Sequence, residues 1–337
     1  MWNSLTKYHP RIGFTMMPSV KSRVPWETGG YLVRTNAAGF RSDREFTKER
    51  SPGKFRSILF GDSQTAGDGV SNGERYSDVV EKLVSNLEVF NYGLPGTGTD
   101  QHYLTYLDCA DVDHDLVIIG IHVENIVRVS HRFTPFANAE GQEVIYAKPY
   151  YVIEQECLRL YHVPVPKSPL TRATISAEDA PHVDWGVPFP TLRNMVKKLG
   201  MRDLMQRVTR FQPIPDYESP DNPNWLLMRK LLETWIRGSR APVLLFLVPM
   251  WPFVEQASDP SHYQARYREL AADTGCLLHD PLPDLWQYGM SERRAFRFKF
   301  DTHISPPGHK ALAISLASAV ERIMQPISQG EPAGVKQ

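Results

Sequence analysis

The run Asp115-Leu116-Val117-Ile118-Ile119-Gly120-Ile121 is the strongest secondary-structure signal in the sequence. Its apolar residues are consecutive rather than alternating, which is typical of a strand buried on both faces of a parallel sheet. Shorter apolar runs with turn residues at their ends predict further strands of the same sheet. These runs cover residues 56–60, 87–90, 243–248 and 276–279.

Helical patterns separate these strands. From Tyr76 onward, residues 74–86 carry apolar side chains at the i, i+3, i+4, i+7 and i+8 spacing of an amphipathic helix. Strands that alternate with helices predict a mostly parallel central sheet covered by helices on both faces, which is a three-layer α/β sandwich. The other predicted helices cover residues 99–107, 225–237, 261–273 and 308–324.

The chain is predicted to be one domain with an arm, an insertion and a tail. Residues 1–50 are rich in Pro, Gly, Arg and Thr, with a short extended piece at Tyr31–Arg34, so we expect an arm packed on the core. The domain is predicted over residues 51–325, and residues 326–337 as a frayed tail. Residues 130–222 hold many prolines but are too apolar for a disordered linker, which predicts an inserted lid or subdomain. Its predicted elements are a hairpin near residues 144–160 and a helix near residues 191–208.

Composition narrows the classes of function. The chain has 337 residues and a formal net charge of +0, so we expect no broad basic face for nucleic acid. It has neither a run of about 18 apolar residues nor a signal-peptide core, so we expect no membrane span and a cytoplasmic location. Cys109, Cys157 and Cys276 have no zinc-ribbon or disulfide spacing, and we interpret them as buried thiols.

Four polar loops follow predicted strands, and parallel sheets place their functional groups at the carboxyl ends of strands. In the first loop, Gly61-Asp62-Ser63-Gln64-Thr65-Ala66-Gly67, Ser63 lies where the strand turns toward a helix. Backbone N–H groups at such a turn point at a bound oxyanion. A serine that only caps the helix is an equal alternative on this segment alone. We expect Asp62 to brace the loop through backbone N–H groups.

The second and third loops are weaker signals. In Asn91-Tyr92-Gly93-Leu94-Pro95-Gly96-Thr97-Gly98, the glycines permit positive φ and close approach of backbone to a ligand, although a simple turn explains such a loop on its own. Its glycine spacing is not the dinucleotide fingerprint, which disfavours a nucleotide-binding protein. Asn125, in His122-Val123-Glu124-Asn125, could donate its amide to a developing oxyanion, but such residues usually satisfy local backbone.

The fourth loop is Asp301-Thr302-His303, shortly before the last predicted helix. A histidine needs an orienting carboxylate to act as a general base toward a serine. Asp301 is two residues away, so both side chains can reach one site from one loop. We expect His309, on the first turn of the following helix, to pack or cap rather than to catalyse.

Together, the four loops resemble the four sequence blocks of the SGNH/GDSL hydrolase family. Ser63 in Gly61-Asp62-Ser63 matches the nucleophile, Gly96 and Asn125 match the oxyanion-hole residues, and Asp301 and His303 match the acid and the base. The resemblance implies a flavodoxin-like sandwich and a Ser-His-Asp triad. The N–H groups of Ser63 and Gly96 and the amide of Asn125 would hold the oxyanion. It implies no metal and no cofactor.

Two blocks depart from the family pattern. The third is usually Gly-x-Asn-Asp, and here it is Val123-Glu124-Asn125-Ile126, which affects the assignment of Asn125. The fourth is usually Asp-x-x-His, and here it is Asp-x-His, as in a subgroup that resembles the alginate O-acetylation proteins. The segment 34–41 also resembles one found ahead of the catalytic core in some bacterial SGNH proteins.

The resemblance implies an ester substrate, and we expect removal of an O-acetyl or another short acyl group from a carbohydrate or small metabolite. An O-acyltransferase with the same triad and a non-catalytic SGNH-like binding protein are the alternatives. Neither a nucleic acid nor a membrane is an expected partner, and the sequence is silent on the oligomeric state. Several aromatic residues are interpreted as core, with a sugar-stacking platform as the alternative. They are Tyr150, Tyr151, Trp185, Phe189 and Trp225.

Overall fold

The computed structural model of the protein describes residues 5–137, 142–184 and 212–325. Elements in these residues are numbered in chain order. The strands are β1 (Thr6–His9), β2 (Gly13–Met16), β3 (Lys21–Val24), β4 (Tyr31–Arg34), β5 (Phe55–Phe60), β6 (Leu87–Asn91), β7 (Leu116–His122), β8 (Phe133–Ala137), β9 (Glu143–Ala147), β10 (Tyr150–Glu154), β11 (Cys157–Tyr161), β12 (Val243–Val248) and β13 (Leu277–His279). The helices are α1 (Ser63–Ala66), α2 (Tyr76–Leu83), α3 (Thr99–Cys109), α4 (Pro223–Gly238), α5 (Trp251–Val254), α6 (Ser261–Thr274), α7 (Leu282–Leu285), α8 (Met290–Ala295) and α9 (Pro306–Met324).

A parallel sheet of five strands forms the centre of the molecule, in the order β6-β5-β7-β12-β13. Every residue of β7 and β12 is buried, as their unbroken apolar runs require. In chain order the strands read 2-1-3-4-5, which is the flavodoxin-like order. The direction of the connections reverses between β5 and β7, so a crevice opens at the carboxyl ends of these two strands.

Helices cover both faces of the sheet. The connection from β5 to β6 moves toward one edge of the sheet, and a right-handed crossover therefore places α2 on one face. The later connections, to β7, β12 and β13, move toward the opposite edge, so α3, α4 and α6 lie on the other face. The contacts agree, since α2 packs against α9 while α4 packs against α3 and α6. The predicted three-layer sandwich is confirmed.

The predicted core elements agree closely with the structure. Each predicted sheet strand begins and ends within about one residue of its predicted bounds, as hydrophobic patterns usually allow. The first long helix is shorter than residues 74–86, because Arg75 is extended before α2 and Val84 is extended after it. The positive φ of Asn86, 63°, then turns the chain into β6.

The insertion contains two hairpins where one is predicted. β8 pairs with β9, and β10 pairs with β11, both antiparallel. The sequence pattern misses β8 because Pro135 interrupts it, and a proline weakens a strand prediction. The predicted helix near residues 191–208 and the predicted tail lie outside the described residues.

The arm forms two hairpins, β1–β2 and β3–β4, and the predicted extended piece at Tyr31–Arg34 is one of their strands. Its apolar side chains, among them Ile12 and Val33, belong to the same buried cluster as the sheet. The division of the chain into arm, domain and tail stays a prediction. None of the helices within the described ranges is long and apolar enough to cross a membrane.

The cysteines are only partly as expected. Cys109 and Cys276 are half-buried, and burial raises the pKa of both thiols, that of Cys109 to about 12. The interpretation as a buried thiol is wrong for Cys157, which is exposed at the start of β11. Alternate residues of that strand point to solvent, since its hairpin lies outside the central sheet.

Candidate active site

Ser63 is the first residue of α1, directly after β5. Gly61 follows the last residue of β5 and lies beside β7, since a Cβ at this position would lie 2.9 Å from the carbonyl oxygen of Gly120. Asp62 caps α1, because its Oδ1 accepts the Gln64 N–H at 2.9 Å. The predicted bracing role of Asp62 is confirmed. The tight turn and the cap fix the backbone that presents the Ser63 hydroxyl at the crevice between β5 and β7.

The structure brings His303 and Asp301 onto Ser63. His303 Nε2 lies 2.8 Å from Ser63 Oγ, and His303 Nδ1 lies 2.5 Å from Asp301 Oδ1. The same carboxylate oxygen accepts the backbone N–H of His303 at 2.7 Å. An Nδ1–H donated to Asp301 leaves Nε2 free to accept the serine proton, which is the tautomer of a general base.

A second carboxyl group, Asp68, faces the same imidazole and is not among the residues the sequence predicts. Its Oδ2 lies 4.0 Å from His303 Nε2, and its side chain is buried. Burial raises the pKa of Asp68 to about 7, although His303 and Arg41 act in the opposite direction. Burial lowers the pKa of His303, but the hydrogen bond to Asp301 and the charges of Asp68 and Asp301 more than offset it, so this pKa is raised. The two carboxyl groups therefore stabilise the imidazolium that forms when His303 accepts a proton.

Side chains of α1 and α5 hold the loop that carries Asp301 and His303. The loop around His303 lies outside the helices and strands. The Thr302 carbonyl accepts the indole N–H of Trp251 at 2.6 Å and the Gln64 amide at 3.5 Å. Gln64 Oε1 accepts the N–H of Ile304 at 3.1 Å. Because Gln64 follows Ser63 directly, its side chain connects the serine loop to the loop that carries His303.

A buried arginine of the arm holds the other end of α1. The guanidinium of Arg41 donates to the carbonyls of Ala66 at 2.9 Å, Gly67 at 2.6 Å and Val70 at 2.7 Å. Arg41 is fully buried, and burial lowers its pKa to about 10, so it stays charged at neutral pH. Carbonyl groups left by the short helix are thus satisfied from outside it.

Gly96 and Asn125 border the same edge of the sheet. Gly96 has a φ of 72° and is the exposed residue of the otherwise buried segment 91–100, with no atom within 4 Å of a Cβ built on it. Asn125 lies in the 3₁₀ helix Val123–Arg128 that follows β7. It is fully buried, and its amide has no hydrogen-bond partner among the residues described. A buried polar group without a hydrogen bond typically costs about 1–3 kcal/mol. We therefore expect the Asn125 amide to have a hydrogen-bond partner.

His309 caps a helix, as predicted. Its Nδ1 accepts the Tyr76 N–H at 3.1 Å at the start of α2, and burial lowers its pKa to about 3. The aromatic residues mostly pack in the core: Trp225 and Tyr151 are buried there, while Tyr150 is half-buried and stacks on Tyr161. Trp185 and Phe189 lie outside the described residues.

Sequence patterns miss several residues around the triad. Asp68 directly follows the serine loop, residues 61–67, but neither its residue type nor its spacing marks it in the sequence. Trp251 follows the end of β12, where functional groups are expected on a parallel sheet. Throughout residues 5–137, 142–184 and 212–325, no group of three or more His, Cys, Asp or Glu side chains could hold a metal ion.

A family model described as the GDSL-like Lipase/Acylhydrolase family matches residues 59–311. The match spans β5 to α9 and contains all of the predicted site residues. The chain therefore belongs to the GDSL-like lipase/acylhydrolase family, and by that membership it is an ester hydrolase. No curated protein matches the chain in a sequence search.

Solved structures similar to the chain include a G-D-S-L family lipolytic protein from Veillonella parvula, with 11% identity, 80% of this chain and 99% of that chain covered, and a TM-score of 0.43. A lipase/acylhydrolase from Enterococcus faecalis has 14% identity, coverage of 81% and 98%, and a TM-score of 0.41. Axe2, an acetylxylan esterase from Geobacillus stearothermophilus, has 14% identity, coverage of 80% and 95%, and a TM-score of 0.41. These values are too low to support a substrate.

Proposed function

We propose that the protein removes a short acyl group, such as O-acetyl, from a carbohydrate or small metabolite by a serine mechanism. Ser63 is the nucleophile, His303 the general base and Asp301 the residue that orients the imidazole. The observation that carries the proposal is the continuous contact Ser63 Oγ–His303 Nε2–Asp301 Oδ1, at 2.8 and 2.5 Å. A non-catalytic binding protein has no need of this alignment.

In the proposed first half-reaction, Ser63 Oγ attacks the ester carbonyl carbon while its proton passes to His303 Nε2. The carbonyl π bond breaks to give a tetrahedral oxyanion. As this intermediate collapses, the bond to the alcohol oxygen breaks, and His303 returns the proton to that oxygen. Water then attacks the acyl-enzyme with His303 again as base, and the acid leaves with Ser63 regenerated. Asp301 and Asp68 stabilise the imidazolium in both halves.

The oxyanion is held by the N–H groups of Ser63 and Gly96 and by the amide of Asn125 in this proposal. The missing partner of the buried Asn125 amide supports its role, because a developing oxyanion supplies the acceptor that the described residues do not. The open space beside Gly96 supports access of a substrate to that edge. Each such donor typically lowers the barrier by about 3–4 kcal/mol.

A small acyl group fits the limited access to the nucleophile. Ser63 is only 8% exposed, and this low exposure supports a small acyl group in the proposal. The same triad also serves transfer to an acceptor hydroxyl in place of water. Product analysis with candidate carbohydrate acceptors distinguishes hydrolysis from transfer, since only transfer yields an acylated acceptor.

The test is labelling of the purified protein with a fluorescent fluorophosphonate, together with hydrolysis of p-nitrophenyl acetate. We expect labelling and turnover in the wild type, loss of both in Ser63→Ala, and a fall of at least about 10³-fold in turnover in His303→Ala. Ser57→Ala is the matched control, because Ser57 is a buried serine of β5 outside the site. Labelling that survives Ser63→Ala, or a folded wild type that is never labelled, would contradict the proposal.

A further inference from the structure

The N-terminal arm contacts the loop that carries Asp301. Glu27 accepts three successive backbone N–H groups: its Oε1 accepts from Lys299 at 2.6 Å, and its Oε2 accepts from Phe300 at 2.8 Å and from Asp301 at 3.2 Å. Successive N–H groups that converge on one point form an anion-binding nest, and Glu27 supplies the anion. Such charge-assisted hydrogen bonds are roughly twice as strong as neutral ones.

The preceding arm residue, Trp26, packs against the histidine. Its ring centroid lies 5.7 Å from that of His303 in an edge-to-face arrangement, and 6.1 Å from that of Phe298. A Cβ at Gly69 would lie 2.7 Å from Trp26 Nε1, so the glycine makes room for the indole. Two consecutive arm residues therefore contact the loop backbone and the imidazole.

We propose that Glu27 is a positioning residue of the active site. By holding the backbone of residues 299–301, its carboxylate sets the position of Asp301 and, through Asp301, the orientation of His303 toward Ser63. This inference rests on the proposed function, because it assumes that Ser63 and His303 react as a pair. It gives the arm a role in the geometry of the reaction in addition to its place in the core.

The hydrogen bonds of the loop form one continuous unit, which is why a single carboxylate can position it. Glu27 accepts the N–H of Asp301, and the Asp301 side chain accepts both the N–H and the Nδ1–H of His303. A shift of the backbone at residue 301 therefore displaces the imidazole as well. A displacement of about 1 Å between reacting groups lowers the rate roughly 10²-fold.

Loss of these bonds is expected to affect the reaction more than the fold. Glu27 and the three N–H groups are exposed, so water replaces the lost hydrogen bonds at little expense in stability. Water does not define one loop position as the carboxylate does. The expected signature is thus a slower enzyme with nearly normal melting behaviour.

The experiment compares wild type with Glu27→Ala and Glu27→Gln, using p-nitrophenyl acetate across a range of pH. We expect Glu27→Ala to lower kcat about 10- to 100-fold, with a much smaller change in KM and in Tm. The kcat of Glu27→Gln should lie between those of the wild type and Glu27→Ala. The amide oxygen of the glutamine still accepts a hydrogen bond, whereas its NH₂ group faces an N–H donor. The pH profile should also move: a weaker contact with Asp301 lowers the pKa of His303, so the acid limb of kcat/KM shifts to lower pH.

Glu45→Ala is the matched control. Glu45 is another exposed arm carboxylate that accepts a backbone N–H, that of Ala37 at 3.0 and 3.1 Å, within the arm itself. Its loss should leave kcat and the pH profile unchanged. A Glu27→Ala variant with wild-type kcat and pH profile overturns the inference, as does an equal loss in Glu45→Ala or a loss of kcat that only follows loss of folded protein. A wild type without a reactive Ser63 would instead overturn the proposed function first.

Discussion

The two halves of the candidate site are built differently. The Ser63 loop joins a buried strand to a capped helix, and its carbonyls are bonded by a fully buried arginine. The Asp301–His303 loop lies outside the helices and strands. Three side chains hold it: the buried Gln64, the half-buried Trp251 and the exposed Glu27. Ser63 is therefore placed by the backbone that leaves the sheet, whereas His303 is placed by a few side chains that are far from it in the sequence.

Because the two halves are built differently, substitutions in them should affect different properties of the protein. Damage to the Ser63 half should appear mainly as lost stability, since its contacts are part of the core. Damage to the His303 half should appear mainly as lost rate, because water can satisfy its exposed groups without preserving their geometry. Variants of Arg41 and Trp251 test this separation directly, and variants of Asn125 and His309 test two further buried side chains.

Arg41→Leu should lower the free energy of unfolding by about 4 kcal/mol or more, because several buried acceptors lose their donor at roughly 1–3 kcal/mol each. Urea denaturation measures the change. Arg44→Leu is the control, since Arg44 is an exposed arm residue that pairs with Glu81, and about 1 kcal/mol or less is expected for it. Equal losses of unfolding free energy in the two variants would show that Arg41 does not stabilise the Ser63 half specifically.

Asn125→Ala should lower kcat about 10²- to 10³-fold, because one oxyanion donor is lost. The free energy of unfolding should change by less than about 1 kcal/mol beyond the effect of side-chain volume, since the amide bonds to none of the described residues. Kinetics with p-nitrophenyl acetate and urea denaturation are measured on the same samples. A stability loss with unchanged kcat would make Asn125 a structural residue.

His309→Asn should flatten the dependence of stability on pH. Burial holds the pKa of His309 at about 3 in the folded protein, against 6.5 when exposed. Its contribution is complete above pH 6.5 and is lost as the pH falls toward 3, by up to about 1.4 kcal/mol per pH unit, because only the unfolded state takes up the proton. Asn can still accept the Tyr76 N–H. Urea denaturation above pH 6.5 and near pH 5 should show a smaller difference in the variant than in the wild type, and equal differences would contradict the prediction.

Trp251→Phe should lower kcat about fivefold, corresponding to about 1 kcal/mol for the hydrogen bond to the Thr302 carbonyl. Stability should change little, because Phe keeps most of the apolar contact. Trp286→Phe provides the comparison, since the Trp286 indole donates to the Phe253 carbonyl at 3.1 Å and not to the loop. If both variants behave alike, the effect is one of packing and not of loop position.

Much of the fold follows from local pattern. Hydrophobic patterns within single segments predict β7, β12 and the helix after Tyr76, because each pattern depends only on residues that are close together in the chain. The hairpin strand β8 escapes prediction because Pro135 breaks its pattern, although pairing with β9 overrides it. The loops at the strand ends could also be found, since parallel strands bring their carboxyl ends to one edge.

The residues of the candidate site can be predicted from the sequence only in part. Ser63, Asp301 and His303 are suggested by residue type, spacing and family resemblance, and the structure brings their side chains together. The roles of Gly96 and Asn125 stay predictions. Glu27, Trp26 and Asp68 carry no signal of their own, because a carboxylate or an indole in an irregular segment has no period and no fixed neighbour. Arg41 lies in the segment 34–41 that the family resemblance marks, but nothing in the sequence shows that its guanidinium bonds to the serine loop.

By itself, the sequence determined the order of strands and helices, the positions of the turns and the types of side chain at the sheet edge. All of these depend on residues close together in the chain. Only the tertiary structure decided that Glu27 contacts Lys299 across 272 residues and that Ser63 meets His303 across 240. Contacts at such separations arise when the sheet and its arm pack together, and side-chain hydrogen bonds then select one geometry among those that the local pattern allows.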